Sequence, residues 1–442
     1  MQQDKLYKKD QFQQLVQPLT KFLATENLSS KLLLLATIIA LIWANSPWAQ
    51  TYFEILHIEI GFSFGGFELN NSLLHWINDG LMVIFFFVVG LEIKREFLVG
   101  ELSNPKKAAL PIIAALGGMV VPALIFTIFN FGGPGASGWG IPMATDIAFA
   151  LGVIMVLGDR VPAPLKVFLL ALAIIDDLGA IVVIALFYTA DLSINSLIAA
   201  GAILAILVIF NKIGIKRSWP YLFLGVFLWL AVYQSGIHAT IAGVLLAMTI
   251  PSSTKMGIGE FVNETNTAIN GFPENEFTIM CVDEEQKDSI KRLELAAKHV
   301  QSPLQRLEDA LHSLSGIVVI PIFALANAGV SFSLDSLAGS LTNPVFIGIV
   351  LGLILGKQIG VTLFSWLGVK LGLANLPTGV NWKHVYGLSC LAGIGFTMSL
   401  FITNLAFVDV ALIETAKVAI LGASLTSAII GLVILISITK SK

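Results

Sequence analysis

The sequence predicts an all-α polytopic membrane protein of about twelve transmembrane helices, with a small β-hairpin on its outer face. Three observations predict it. Hydrophobic residues make up 56% of the 442-residue chain, charged residues only 12%, and mean hydropathy is +0.85. A soluble domain carries about 25% charged residues. Apolar runs of roughly 18 or more residues recur, long enough for helices to span a bilayer. Lys and Arg fall almost entirely on one side of those runs, as cytoplasmic loops require. The short alternating segments of a membrane β-barrel are missing from most of the chain. The net charge of −3 says little; the placement of charge says more.

Residues 1–27 form a cytoplasmic N-terminal segment. Tyr7 to Thr25 mixes Lys and Gln with Phe12, Leu15, Leu19 and Phe22. That reads as an interfacial amphipathic helix, with a solvated tail as the alternative. No cleavable signal is expected, because the first apolar run is too long and no small-residue cleavage site follows it. Spans one to eight occupy 28–250, at 28–47, 72–97, 107–129, 138–158, 164–189, 193–211, 219–233 and 236–250. Spans nine to twelve occupy 304–438, at 304–328, 346–368, 384–406 and 412–438, and 439–442 form a cytoplasmic tail. With the N-terminus inside, all of the 26 Lys and Arg except Lys357 and Lys417 fall on the cytoplasmic side. Lys417 lies just inside the last span; Lys357 lies deep in span ten.

Two segments interrupt the membrane pattern. Residues 53–69 alternate, Phe53-Glu-Ile-Leu-His-Ile-Glu-Ile-Gly-Phe-Ser-Phe-Gly-Gly-Phe-Glu-Leu69, and Gly65-Gly66 supplies a turn. This is a β-hairpin signature. A lone hairpin is marginal in water, so it is expected to lie on the membrane or pair with a copy of itself. Residues 251–303 form a cytoplasmic polar insert, too short and too polar to bury a core of its own. It reads as a tolerated loop insertion rather than a catalytic domain. Its second half has helical spacing through Ile290, Leu293, Val300, Leu304 and Leu307. Ser302-Pro303-Leu304-Gln305 supplies an N-cap, a proline at the first helical position and a capping-box partner. The two cysteines, Cys281 in this insert and Cys390 in a span, make no disulfide framework.

The candidate chemistry lies within the spans. Asp176 and Asp177 sit in the middle of the apolar run 167–187. A charged side chain at the centre of a membrane helix costs roughly 2.5–3.5 kcal/mol on insertion scales. Two in succession must face a watery or ion-filled cavity. Neighbours on a helix point about 100° apart, so one faces an ion path and the other leans towards an adjacent helix. In span four, Pro142 removes a backbone donor, and Thr145 and Asp146 follow. The helix is expected to open into an extended stretch at mid-membrane, which is tolerated only where it is buried in protein or lines water. A plain proline kink is the alternative. Gly393 and Gly395 offer the same opening in span eleven, with a glycine helix crossing as the alternative. Spans three to five and ten to twelve then read as inverted repeats, whose broken helices point to a binding site. Crossing broken helices bring like ends together. Asp146 suits the paired positive N-termini. Lys357 suits the paired negative C-termini or pairs with Asp176 or Asp177. Snorkelling is the alternative for Lys357, but about ten apolar residues flank it on each side. Asp79 lies near the outer end of span two, and Glu92, Lys94, Arg95 and Glu96 at its inner end read as a solvated cytoplasmic cluster.

Seven motifs run through the chain in order: Trp76-Ile-Asn-Asp79, Gly90-Leu-Glu-Ile-Lys-Arg-Glu96, Ala144-Thr-Asp-Ile-Ala-Phe-Ala-Leu-Gly152, Ala171-Leu-Ala-Ile-Ile-Asp-Asp-Leu-Gly-Ala-Ile181, Ser235-Gly-Ile-His-Ala-Thr240, Phe323-Ala-Leu-Ala-Asn-Ala-Gly-Val330 and Gly393-Ile-Gly-Phe-Thr-Met-Ser399. On these motifs the chain resembles the bacterial NhaA-type sodium/proton antiporters. The motifs cover nearly all of the chain outside the insert. That family is itself a standard example of inverted repeats and broken helices. The resemblance implies electrogenic exchange of cytoplasmic Na⁺ or Li⁺ for external H⁺ across a bacterial inner membrane, with roles in sodium and pH homeostasis. It implies that Asp177 and Asp176 bind the ion, with Thr145 and Asp146 beside them, and that Lys357 pairs with Asp176 in the ion-free state. It implies a homodimer joined through the outer hairpin. Glu92, Glu96, Glu308, His312 and Asp79 are candidate accessory or pH-sensing groups. No cofactor, no nucleic acid and no enzymatic role is expected. The chain departs from the family pattern in its long insert, in Asp309 where a His is common, and in Gln358 where a Pro often follows the lysine.

Three rival classes fit the sequence less well. A sodium-coupled symporter needs a polar substrate cavity that the sequence does not suggest. A channel needs rings of carbonyls or charges. A soluble enzyme or receptor fails on composition.

Overall fold

A computed structural model describes residues 28–64, 67–189, 192–270, 284–331, 339 and 341–439. The N-terminal segment 1–27, the Gly65-Gly66 turn, residues 271–283 with Cys281, and 440–442 lie outside the described residues.

The chain begins with α1 (Leu28–Ala44), which turns through 115° into α2 (Ala49–Leu56). Strands β1 (Glu59–Phe64) and β2 (Phe67–Ser72) pair antiparallel, with Ile60 opposite Asn71 and Gly61 opposite Asn70. The hairpin thus starts later than the sequence pattern suggests. Residues 53–56 are helical instead, because Tyr52 and Leu56, one turn apart, bury together and the Tyr52 hydroxyl donates to Leu325 O at 2.8 Å. The indole of Trp76 ties the hairpin down by donating to Ile60 O at 2.9 Å.

Then follow α3 (Leu73–Leu98), which contains a π-helical turn at Trp76–Leu81, and α4 (Pro105–Asn130). A 3₁₀ stretch at Ala136–Met143 leads through extended residues to α5 (Ile147–Met155). Next come α6 (Ala163–Phe187), α7 (Ile194–Ile213), α8 (Trp219–Tyr233) and α9 (Ile241–Thr249). The insert contributes α10 (Ile258–Ile269) and α11 (Glu284–Val300). The last part holds α12 (Pro303–Asn327), α13 (Pro344–Lys370), α14 (Trp382–Leu391), α15 (Phe396–Ala406) and α16 (Val410–Thr439). The helix starts obey local signals. The Ser302–Gln305 capping box forms at α12, and Asn104, Asn343 and Asn381 cap α4, α13 and α14 by accepting from backbone N–H groups.

Among the described residues, eight helices are long and apolar enough to cross a membrane, or up to ten if each of two bent pairs is one span. The bent pairs are α1 with α2 and α14 with α15, the latter bent by 49°. The expected twelve is not reached by this measure, because α8 has 15 residues and α9 only nine. A spanning helix needs about 20. The expected span 236–250 is helical only from Ile241, because Gly236 takes a left-handed φ of 82° that no helix continues through.

One large core joins α1, α3–α6 and α12–α16. A smaller core packs α7, α8 and α9 against the far side of α3 through Phe87, Leu91, Leu207, Tyr221 and Leu228. Helices α4 and α13 touch backbone to backbone: a Cβ on Gly117 would lie 2.2 Å from Gly360 O. Small residues allow this approach where no hydrophobic force exists between helices in lipid. It brings Lys357 to the centre of the molecule.

Candidate functional site

Two interrupted helices meet at mid-molecule. In the first, the backbone is extended at Ala144 (ψ 146°) and at Asp146 (ψ 101°), between the 3₁₀ stretch and α5. In the second, residues 392–395 separate α14 from α15. The two breaks bind each other. Asp146 N donates to Ile394 O at 2.7 Å, and the Ser399 hydroxyl donates to Ile141 O at 2.8 Å. Backbone groups freed from one helix are thereby satisfied by the other.

Asp146 closes the N-termini of both short helices. Its Oδ1 accepts from Phe149 N at 2.9 Å, and its Oδ2 accepts from Thr397 N at 3.1 Å and from the Thr397 hydroxyl. Each N-terminus carries a partial positive charge and unsatisfied N–H groups, so one carboxylate offsets two dipoles. The sequence argument reached Asp146 but not Thr397. A threonine two residues after a glycine break was the available signal.

Lys357 is fully buried at the start of the regular turns that follow a π-helical stretch, Gly352–Gly356. Its Nζ donates to Asp176 Oδ2 at 2.6 Å and to the Thr145 hydroxyl at 3.0 Å. The Thr145 oxygen lies 2.7 Å from Asp176 Oδ2 and 2.9 Å from Ala392 O, and gives its one proton to one of the two. Of the two arrangements open to Lys357, pairing with an aspartate is the one found.

Asp176 and Asp177 diverge from the middle of α6. Asp176 turns to Lys357 and Thr145. Asp177 lines a cavity of about 150 Å³ together with Asp146, Thr397, Glu92 and His312. Asp177 is 1% exposed, and among the described residues no protein group donates to either of its carboxylate oxygens, nor to Asp176 Oδ1. Buried carboxylate oxygens ordinarily find donors. Among the described residues, no group of three or more His, Cys, Asp or Glu is arranged to hold a metal ion.

Of the remaining candidates, Glu92 and His312 line the same cavity, and Glu96, Glu308 and Asp79 lie outside it. Glu92 and His312 pair at 3.0 Å at the open end of the cavity, where His312 is 71% exposed. Arg95 bridges Glu96 at 3.0 Å and Glu308 at 3.3 Å nearby. Asp79 lies in the π-helical turn towards the hairpin end, 3.0 Å from His75 and 3.4 Å from His238. His238, inside the expected span 236–250, lies instead in the irregular stretch before α9 and meets Asp79 only in the fold. Lys94 Nζ donates to Met248 O and Ile250 O and so closes the C-terminus of α9.

Comparison with known proteins gives a consistent result. The model of the family described as Na⁺/H⁺ antiporter 1 matches residues 20–435. A Na(+)/H(+) antiporter NhaA of Oleidesulfovibrio alaskensis is 51% identical over 413 residues, covering 93% of this chain and 91% of its own. One of Wolinella succinogenes is 49% identical over 415 residues, with coverage of 93% and 91%. One of Sulfurimonas denitrificans is 46% identical over 434 residues, with coverage of 97% of both chains.

Proposed function

The chain belongs to the Na⁺/H⁺ antiporter 1 family, and from that premise we propose that it extrudes Na⁺ or Li⁺ from the cytoplasm in electrogenic exchange for external H⁺. The observation that supports this reading most directly is the Asp177 carboxylate, buried at a cavity wall with no protein donor to either oxygen among the described residues. A small cation and a proton are both suited to such a group. Only one can occupy it at a time, and that competition is enough for exchange.

Asp177 is the main ligand of the ion, and Asp176 is the coupled proton carrier. Thr145 supplies a hydroxyl oxygen beside them. In the ion-free state Asp177 carries one proton and the Asp176–Lys357 pair shares another; when Na⁺ reaches Asp177, Asp176 is drawn to the cation, and Asp177 and the pair each release their proton to the cytoplasm. Two protons returning for one Na⁺ leaving moves one net charge inward. Asp146 keeps the N-termini of α5 and α15 from repelling each other and the cation. Glu92 and His312 flank the way in and are the accessory groups best placed to respond to cytoplasmic pH.

The wider reading is of twelve crossings, with α8 and α9 as short spans, both termini cytoplasmic, and inverted repeats rocking against each other in the bacterial inner membrane. Two copies join through β1 and β2, since a lone hairpin is marginal in water. Replacing 59–71 with a short Gly-Ser link should give a monomer in detergent that still transports; a variant that stays dimeric would remove that part of the reading. The test of function is Na⁺-driven proton flux in proteoliposomes, with a pH dye and a potential dye together. A channel would conduct Na⁺ without proton counterflow, and a symporter would need an organic substrate.

A further inference from the structure

Three helices each place one phenylalanine and one asparagine in two stacked layers between the ion site and the hairpin end. The layer nearer the site is aromatic. Phe401 of α15 lies 5.3 Å from Phe86 of α3 and 6.2 Å from Phe323 of α12, measured between ring centroids. All three are at most 1% exposed. The layer beyond is a chain of amides. The Asn404 amide of α15 donates to Asn327 Oδ1 at 2.7 Å, and the Asn327 amide donates to Asn78 Oδ1 at 2.9 Å. Asn327, on α12, is fully buried, while Asn78 and Asn404 are partly open. Exposure thus rises away from the site.

Resting on the antiport reading above, we propose that Asn78, Asn327 and Asn404 are the latch of the outer gate, and that the phenylalanine layer beneath them is its water seal. The cavity runs from exposed His312 to Asp177, so the ion site communicates with the end of the molecule that holds the Glu92–His312 pair. The two layers lie on the opposite side. An aromatic constriction blocks ions by excluding water. It has no directionality, so something must hold the three helices together. Amides suit that task. They bond to one another when closed and to water when open, and being neutral they leave no fixed charge to trap a departing cation. Carboxylates at the same positions would do so.

The construction of the helices fits a moving element. Asn78 lies inside the π-helical turn of α3, and a second π-helical turn, Ser315–Val319, separates His312 from Phe323 on α12. Such turns are frequent at functional sites. Helix α15 is short and free of α14 at its start, where Thr397 holds Asp146. A shift of α15 therefore reaches the site and the latch together.

The test uses the full chain with Cys281→Ser and Cys390→Ser, carrying Val89→Cys. Val89 lines the cavity on the site side of Phe86. An impermeant thiol reagent is applied outside right-side-out vesicles. Asn404→Ala and Asn78→Ala should each raise outside labelling by about two- to tenfold, the population change that one hydrogen bond commands. Labelling from inside should fall in parallel. Unchanged labelling in both variants, with exchange intact, would overturn the gate. The two readings fail separately. Loss of Na⁺-driven proton flux in the parent would sink antiport, while a labelling rise would still support the latch.

Discussion

Lys357 Nζ and Asp176 Oδ2 lie 2.6 Å apart with both side chains fully shielded from solvent. Neither could be left alone there. Removing one partner of a buried pair typically costs about 3–5 kcal/mol, because the other stays as an uncompensated charge. Lys357→Ala should therefore lower the melting temperature of the detergent-solubilised protein markedly and raise the pH at which transport begins. Lys357→Arg keeps the charge and should do less. Scanning fluorimetry and flux across pH check both; an alanine variant with unchanged melting and unchanged onset would contradict the pairing.

The pair depends on a contact made by residues without side chains. A Cβ at Gly117 would meet Gly360 O at 2.2 Å and the Phe364 ring carbon Cγ at 2.5 Å. Gly117→Ala must push α4 from α13 and move Lys357 with it. Overpacking of this kind costs about 1–3 kcal/mol. We expect lower stability and weaker exchange together. Gly201→Ala in α7 is the control, since a Cβ there meets nothing within 4 Å. That change should be neutral or stabilising by about 0.5–1 kcal/mol. Equal melting temperatures in the two variants would deny the close approach its importance.

Parts of this arrangement are legible in the sequence for a physical reason. A carboxylate or ammonium in a membrane helix is expensive, so Asp146, Asp176, Asp177 and Lys357 announce themselves. Pro142 and the glycines at 393 and 395 mark the breaks beside them. What stays hidden is what the third dimension supplies. Thr397 and the carbonyls of Ala392 and Ile394 join the site only because the two breaks meet; the glycine break two residues before Thr397 is a faint signal, and a backbone oxygen carries none. Asn78, Asn327 and Asn404 lie far apart in the chain, and each alone is an ordinary polar residue near a helix end. The short α8 and α9 show where hydropathy marks a segment without fixing its helix: 219–233 is helical throughout, whereas 236–250 is helical only from Ile241, after the left-handed Gly236.

The strongest prediction concerns the carboxylates of α6. Asp177→Asn keeps the shape of the side chain and removes its charge, so any loss reports charge and titration rather than packing. It should abolish Na⁺-driven proton flux. Asp176→Asn should abolish exchange or make it electroneutral, because one proton carrier is gone, and should also weaken the hold on Lys357. Asp146→Asn should be the mildest. Its amide oxygen can still accept from Phe149 N, and the dipole terms it offsets are worth only about 0.3–2 kcal/mol. The measurement is flux in proteoliposomes with a potential dye alongside, and the order of severity matters as much as any single value. Normal electrogenic exchange in Asp177→Asn would end this reading of the site. Silence in Asp146→Asn alone would instead show that dipole compensation of this size is not its main task, and that the bonds from Thr397 N and its hydroxyl, which an amide NH2 cannot accept, or a direct bond to the ion carry the cycle.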